Sequence, residues 1–183
     1  VQGDVGSGKT IVAAIACLYA ISSNVQAAVM APTELLAEQH LQNFTAWFAN
    51  LGIQPAWLSG SQKQSDRKHS LAAIADGSAQ LVIGTHALFQ EGVEFRNLAL
   101  IIIDEQHRFG VHQRLALRNK GVAAGAQPHQ LVMTATPIPR TLAMAAYADL
   151  DTSVIDEMPP GRQPVQTVAL PDTRRADVVA RVQ

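Results

Sequence analysis

The chain has 183 residues, 48% of them hydrophobic and 16% charged, with a formal net charge of −1 and one cysteine. Its length and apolar share suit one well-buried domain, and its near-neutral charge excludes the global basic field of a non-specific nucleic-acid binder. A single cysteine excludes a disulfide framework, and no apolar run approaches the ~18 residues of a membrane-spanning helix. No signal peptide appears, although a truncated start would hide one, and the single Cys17 leaves a cytoplasmic or other reducing compartment as the expectation.

The first element is a phosphate-loop word. Gly3-Asp4-Val5-Gly6-Ser7-Gly8-Lys9-Thr10 matches G-x-x-x-x-G-K-[ST] in full. Glycines at its first and sixth positions let successive amides point into one concavity at the positive end of the following helix, which suits a polyphosphate. Lys9 is expected to reach the β- and γ-phosphates, and Thr10 to place its hydroxyl on Mg²⁺. A glycine-rich turn that merely opens a helix is the plain alternative. Ile11 to Ile21 reads as a buried helix, as the motif requires. A strand should precede the loop and only Val1 and Gln2 stand there, so the chain reads as a fragment cut where that strand ends.

Ala27 to Ala31 is a short apolar strand ended by Pro32. Thr33 is placed to cap a helix from Glu34 to about Asn50, closed by Leu51-Gly52. Leu36, His40, Phe44, Trp47 and Leu51 recur at three- and four-residue spacing and predict its buried stripe. Gln54 to Leu58 is a strand candidate, and Lys63 to Asp76 a polar-faced helix with Leu71, Ile74 and Ala75 inward. Leu81 to Gly84 reads as a buried strand, and Thr85 to Phe89 as a short helix or turn. Leu98 to Ile103 is the most apolar run in the chain and predicts a central parallel strand, apolar on both faces. Gln130 to Thr134 is a further strand. Strands alternating with helical patterns predict an α/β fold, a doubly wound and mostly parallel sheet flanked by helices.

Composition changes at Glu157 to Pro164, where prolines and a glycine cluster. Residues 1–157 are therefore expected to form one lobe, and residues 158–183 a linker with the start of another. Val165 to Leu170 is a strand candidate and Asp172 to Gln183 a helix capped by Asp172.

Asp104-Glu105 closes the strongest strand, where an open α/β sheet puts its ligand chemistry. Asp104 is placed to hold Mg²⁺, partly through water, and Glu105 to orient the attacking water. Two acids ending a strand at the surface are the bland alternative. Joined to the phosphate loop they make two halves of one Mg-nucleotide site.

The words around these halves carry a resemblance. Asp104-Glu105-Gln106-His107 resembles motif II of superfamily two helicases, Ala31 to His40 motif Ia, Ile83 to His86 motif Ib, and Thr134 to Pro137 motif III. The longer strings Asp104 to Arg114 and Thr134 to Thr141 resemble the RecG-type family, bacterial ATP-dependent DNA helicases that remodel stalled forks. In that family the residue after Asp-Glu is typically Gln, as Gln106 is here. The likeness runs over essentially the whole chain, which would then be the first RecA-like motor lobe.

The resemblance implies a role for each matching residue. Lys9 and Thr10 with Asp104 would hold ATP and Mg²⁺, and Glu105 would serve the hydrolytic water. Gln106, His107, Thr134, Ala135, Thr136 and Arg140 would couple hydrolysis to movement. Pro32, Thr33, Gly84, Thr85 and His86 would meet the DNA backbone, although Thr33 as a plain helix cap and His86 as a surface residue fit the same positions. A branched DNA, a second lobe of the same chain bearing the arginine finger, and a location at the bacterial nucleoid are likewise implied. Alone, such a fragment should bind Mg-nucleotide weakly and hydrolyse it little. The alternatives are the matching lobe of a transcription-repair coupling factor, another P-loop NTPase, and a binding module that keeps the fold without the chemistry.

Overall fold

The computed structural model describes residues 1–105, 127–136, 151–157, 161 and 167–182. In chain order these hold β1 (Gln2–Gly3), α1 (Lys9–Ser22), β2 (Gln26–Met30), α2 (Glu34–Phe48), β3 (Ala56–Leu58) and α3 (Gln64–Asp76). Then come β4 (Leu81–Gly84), β5 (Leu98–Asp104), β6 (His129–Met133), β7 (Val154–Ile155) and α4 (Arg175–Val182). One sheet runs β3-β4-β2-β5-β6, every pair parallel. β1 pairs in parallel with β7. Gly3 N–H donates to the Thr134 carbonyl at 3.2 Å and Thr134 N–H to that of Val1 at 3.1 Å, which joins β1 to the end of β6. The expected parallel α/β sheet is therefore present, and β5, β6 and β1 lie side by side at their carboxyl ends.

Alternation along the inner strands explains the continuous apolar run. Ile101 and Ile103 of β5 join Ala28, Met30, Val82 and Leu88 in a core that includes Ile74 of α3. Ile102 faces the other way, into a core with Ala27, Val29, Leu81, Ile83, Ala14 and Cys17 of α1 and Phe44 of α2. A strand covered on both faces has no polar side to show, so it reads as unbroken aliphatics. Each fully buried aliphatic or aromatic side chain contributes roughly 1.5–3 kcal/mol. Burial pushes the Cys17 thiol up to about 12, so it stays a neutral core side chain. Gln26 is buried but fully used: Nε2 donates to the Ile74 and Ala79 carbonyls, and Oε1 accepts from Asn97 N–H.

The helices depart from the expected stripes. In α1 the small residues Ala13, Ala14 and Cys17, with Ile21, face the sheet, while Ile11, Ile15 and Tyr19 are exposed. A helix apolar all round has no preferred face by periodicity, and small side chains let it lie close to the strands. In α2 the inner stripe is Ala37, His40, Phe44 and Phe48; Trp47 and Leu51 are exposed, because Phe48 takes the core place. In α3 Ser70 and Ile74 are buried and Leu71 is half-buried, whereas Ala75 faces outward. The C-terminal helix is preceded by a 3-10 turn at Asp172–Arg174, and residues 167–170 form no strand. Most of the proline-rich stretch, at 158–160 and 162–166, lies outside the described residues.

Thr33 does cap α2: its hydroxyl accepts from Leu36 N–H at 3.3 Å. Thr33→Ala is expected to lower stability by about 1 kcal/mol, the usual cost of a lost cap. In thermal unfolding that is a fall of roughly 2–4 °C for a domain of this size. An unchanged melting temperature would assign Thr33 no capping role.

Candidate nucleotide site

The loop between β1 and α1 turns at Gly8, as expected, and at Gly6, the fourth position, instead of at Gly3. Gly6 and Gly8 adopt φ of 83° and 94°, in the left-handed region, and Gly8 opens α1. Gly3 is required for packing: a Cβ there would press on Ser7 Oγ and on Ile155. Asp4 holds the turn, its carboxylate accepting from Val5 N–H at 2.7 Å and its carbonyl from Ser7 N–H at 3.1 Å. The Lys9 ammonium lies back in the loop and donates to the carbonyls of Gly3 and Asp4 at 2.8 and 2.9 Å.

Asp104 ends β5 and Glu105 turns out of it with φ of 50°. A left-handed Glu costs of order 1–3 kcal/mol and persists only where the surroundings hold it. Here Glu105 N–H donates to the Met133 carbonyl at 2.9 Å. Its carboxylate accepts from Thr134 Oγ at 3.3 Å and Ala135 N–H at 3.4 Å. Thr134 Oγ also meets Thr136 Oγ at 2.8 Å and accepts from Thr136 N–H at 3.1 Å. The Thr134 to Thr136 segment is thus bonded directly to Glu105. On the other side, Asp104 Oδ2 lies 2.8 Å from His40 Nε2 of α2.

Together these elements line a cleft of about 620 Å³. Val5, Gly6, Lys9 and Thr10 form one wall, Asp104, Glu105, Ala135 and Thr136 another. Thr33, Leu36, Gln39, His40 and Asn43 of the α2 side close it. Leu36 and His40 belong to the expected buried stripe and to the motif Ia string; Gln39, inside that string, and Asn43, outside it, carry no expected role of their own. Their signal in the sequence was slight: polar residues on the α2 turns beside an apolar stripe. Of the expected coupling residues, Thr134, Ala135 and Thr136 are brought to the site; Gln106, His107 and Arg140 lie outside the described residues.

The residues expected at the DNA edge lie past the carboxyl end of β2 (Pro32, Thr33) and at the carboxyl end of β4 (Gly84, Thr85, His86). Pro32 is half-buried, and Thr33 and His86 are exposed. Gly84 and Thr85 are buried. A Cβ on Gly84 would run into the Leu58 carbonyl of β3, and Thr85 Oγ accepts from Ala87 N–H at 3.5 Å. Glu34 ties this edge together, accepting from Ser61 Oγ at 2.8 Å and Ser61 N–H at 3.2 Å, and these bonds hold its carboxyl below the usual range.

Residues 1–145 match the DEAD/DEAH box helicase family. The chain belongs to that family. Among relatives of this DEAD/DEAH box chain, the ATP-dependent DNA helicase RecG of Escherichia coli K12 is 69% identical across all of the chain and 26% of its own length. The RecG of Pasteurella multocida is 65% identical over the same shares. A solved structure of RecG bound to a three-way DNA junction superposes with a TM-score of 0.79 at 45% identity, covering 100% of this chain and 24% of that one. The chain therefore spans about a quarter of the length of the curated relatives it matches.

The residues of this DEAD/DEAH box lobe fit an anionic ligand with a hard cation. Ser7 Oγ is buried without a partner, an orphaned hydroxyl inside a loop of amides and one ammonium. Thr10 and Asp104 add a hydroxyl and a carboxylate, the oxygen donors Mg²⁺ prefers. Among the described residues no three His, Cys, Asp or Glu form a metal cage. Mg²⁺ needs none, since it keeps much of its shell as water and phosphate. Among the described residues no helix is long and apolar enough to cross a membrane.

Proposed function

We propose that this chain is the ATP-binding motor lobe of a DNA helicase that remodels branched DNA, with residues 1–157 as the lobe and 158–183 leading into a second. The observation that carries the reading is one cleft uniting Lys9 and Thr10 with Asp104, Glu105 and Thr136 at the ends of neighbouring strands. The RecG relatives and the junction-bound RecG structure support the helicase class and a branched substrate.

In this reading the loop amides from Asp4 to Thr10 and the Lys9 ammonium hold the nucleotide phosphates. Lys9 exchanges its two loop carbonyls for phosphate oxygens, which gives it stronger, charge-assisted partners. Thr10 and Asp104 hold Mg²⁺, which when bound neutralises developing phosphate charge. Glu105 orients the attacking water and accepts its proton. Its bonds to Thr134 and Ala135 carry any shift of the Glu105 carboxylate into the motif III segment, so hydrolysis and the β6 end move together. Thr33 and His86 meet the DNA backbone at the exposed edge, and Pro32, Gly84 and Thr85 shape the turns that present it.

Calorimetry of Mg-ATP with the chain and its Lys9→Ala variant tests this. Saturable, Mg²⁺-dependent binding is expected, weakened at least about tenfold by the substitution, as loss of a charge-assisted phosphate contact predicts. Equal binding by both folded proteins would remove the phosphate loop from the reading.

A further inference from the structure

The Asp104 carboxylate has a partner on α2. His40 comes 64 residues earlier, on α2, and its Nε2 lies 2.8 Å from Asp104 Oδ2. Both side chains are nearly out of solvent, at 9% and 15% exposure. The ring is held as well as placed: Phe44, fully buried, meets it edge-on with centroids 6.3 Å apart and planes at 84°. Phe44 is itself packed edge-on against Phe48 at 5.5 Å. One turn below, the ring is therefore anchored in the core between α2 and the sheet.

An ionised carboxylate only accepts hydrogen bonds, so Nε2 is the donor and the imidazole carries its proton there. That bond restrains rotation of the carboxylate and leaves Oδ1 as the oxygen to meet a cation or its bound water. Supporting bonds of this kind orient carboxylate ligands and tune metal affinity.

We infer that His40 is a positioning residue for Asp104, setting its carboxylate for a divalent cation through the Nε2–H to Oδ2 bond. The inference rests on the nucleotide reading above and deepens it. In this role His40 acts through Asp104.

The test uses the full-length protein, Mn²⁺ in place of Mg²⁺, and ADP, with bound Mn²⁺ read by electron paramagnetic resonance. His40→Ala is expected to weaken Mn²⁺ binding in the presence of ADP by ~10–100-fold, the range for lost support of a metal ligand. ADP binding without metal should stay within about twofold of the parent, because the phosphate loop is untouched. His40→Gln, whose amide can donate to the same oxygen, should recover most of the Mn²⁺ affinity. Unchanged Mn²⁺ affinity in His40→Ala overturns the inference. So does a His40→Gln protein as weak as His40→Ala, or metal-free ADP binding that falls in step, since either marks a packing role. Lys9→Ala in the same assay separates the two layers. If the parent binds Mn²⁺ and ADP only with Lys9 present, the nucleotide reading stands whatever His40 does. If Lys9→Ala changes nothing, the nucleotide reading falls, and this inference with it.

Discussion

Glu105→Gln in the full-length protein is expected to lower kcat for ATP hydrolysis by ~10²–10⁴ while leaving nucleotide affinity nearly unchanged, the range for a lost general base. The substitution keeps shape and bonding. A glutamine carbonyl oxygen can accept from Ala135 N–H, and its amide can donate to Thr134 Oγ, so the contacts at 3.4 and 3.3 Å survive in kind. What is lost is the charge and the ability to take a proton. Left-handed backbone at position 105 suits Gln no worse than Glu, so melting temperature should barely move. Single-turnover hydrolysis with ATP binding measured in parallel decides it. Turnover within threefold of the parent would mean that Glu105 is a structural clasp on Thr134 and that another group handles the water.

The second large effect is on stability. Gly84→Ala places a Cβ against the Leu58 carbonyl, a backbone group of the neighbouring strand with no rotamer to give. Among the described residues β3 is an edge strand of three residues, paired only with β4 through Ala56, Trp57 and Leu58. Relief therefore means parting that pair, at a cost of about 3 kcal/mol, the upper end for overpacking. Thermal unfolding should show a fall of roughly 6–12 °C. DNA affinity should drop only as far as the folded fraction drops. A protein of normal stability with weakened DNA binding would give Gly84 the direct DNA role that its place in motif Ib implied.

These two residues mark the limit of what the order of residues conveys. Glu105 was legible because its chemistry is written locally: an aliphatic run, then two acids at a strand end. Its hold on Thr134 and Ala135 was not, since β5 and β6 become neighbours only when the sheet forms. Gly84 was legible as part of a motif word, but the reason for a glycine lies in Leu58, 26 positions away and one strand over. His40 was read as core, and half of that reading holds. It is buried on the inner stripe of α2, yet its polar end is spent on Asp104. For α1, uniform apolarity hid the face that packs.

By itself the order of residues determined the phosphate loop, the alternation of strands and helices, the doubly apolar β5 and the carboxylates that end it. All of these depend on interactions within a few positions of chain, or on a periodicity that burial imposes directly. Only the tertiary structure decided which strands are neighbours, and so which carboxylate meets which threonine and which histidine. It also decided which side of each helix packs. Those outcomes depend on close packing between segments far apart in sequence, where one shape must fit another, and local composition carries no record of the partner.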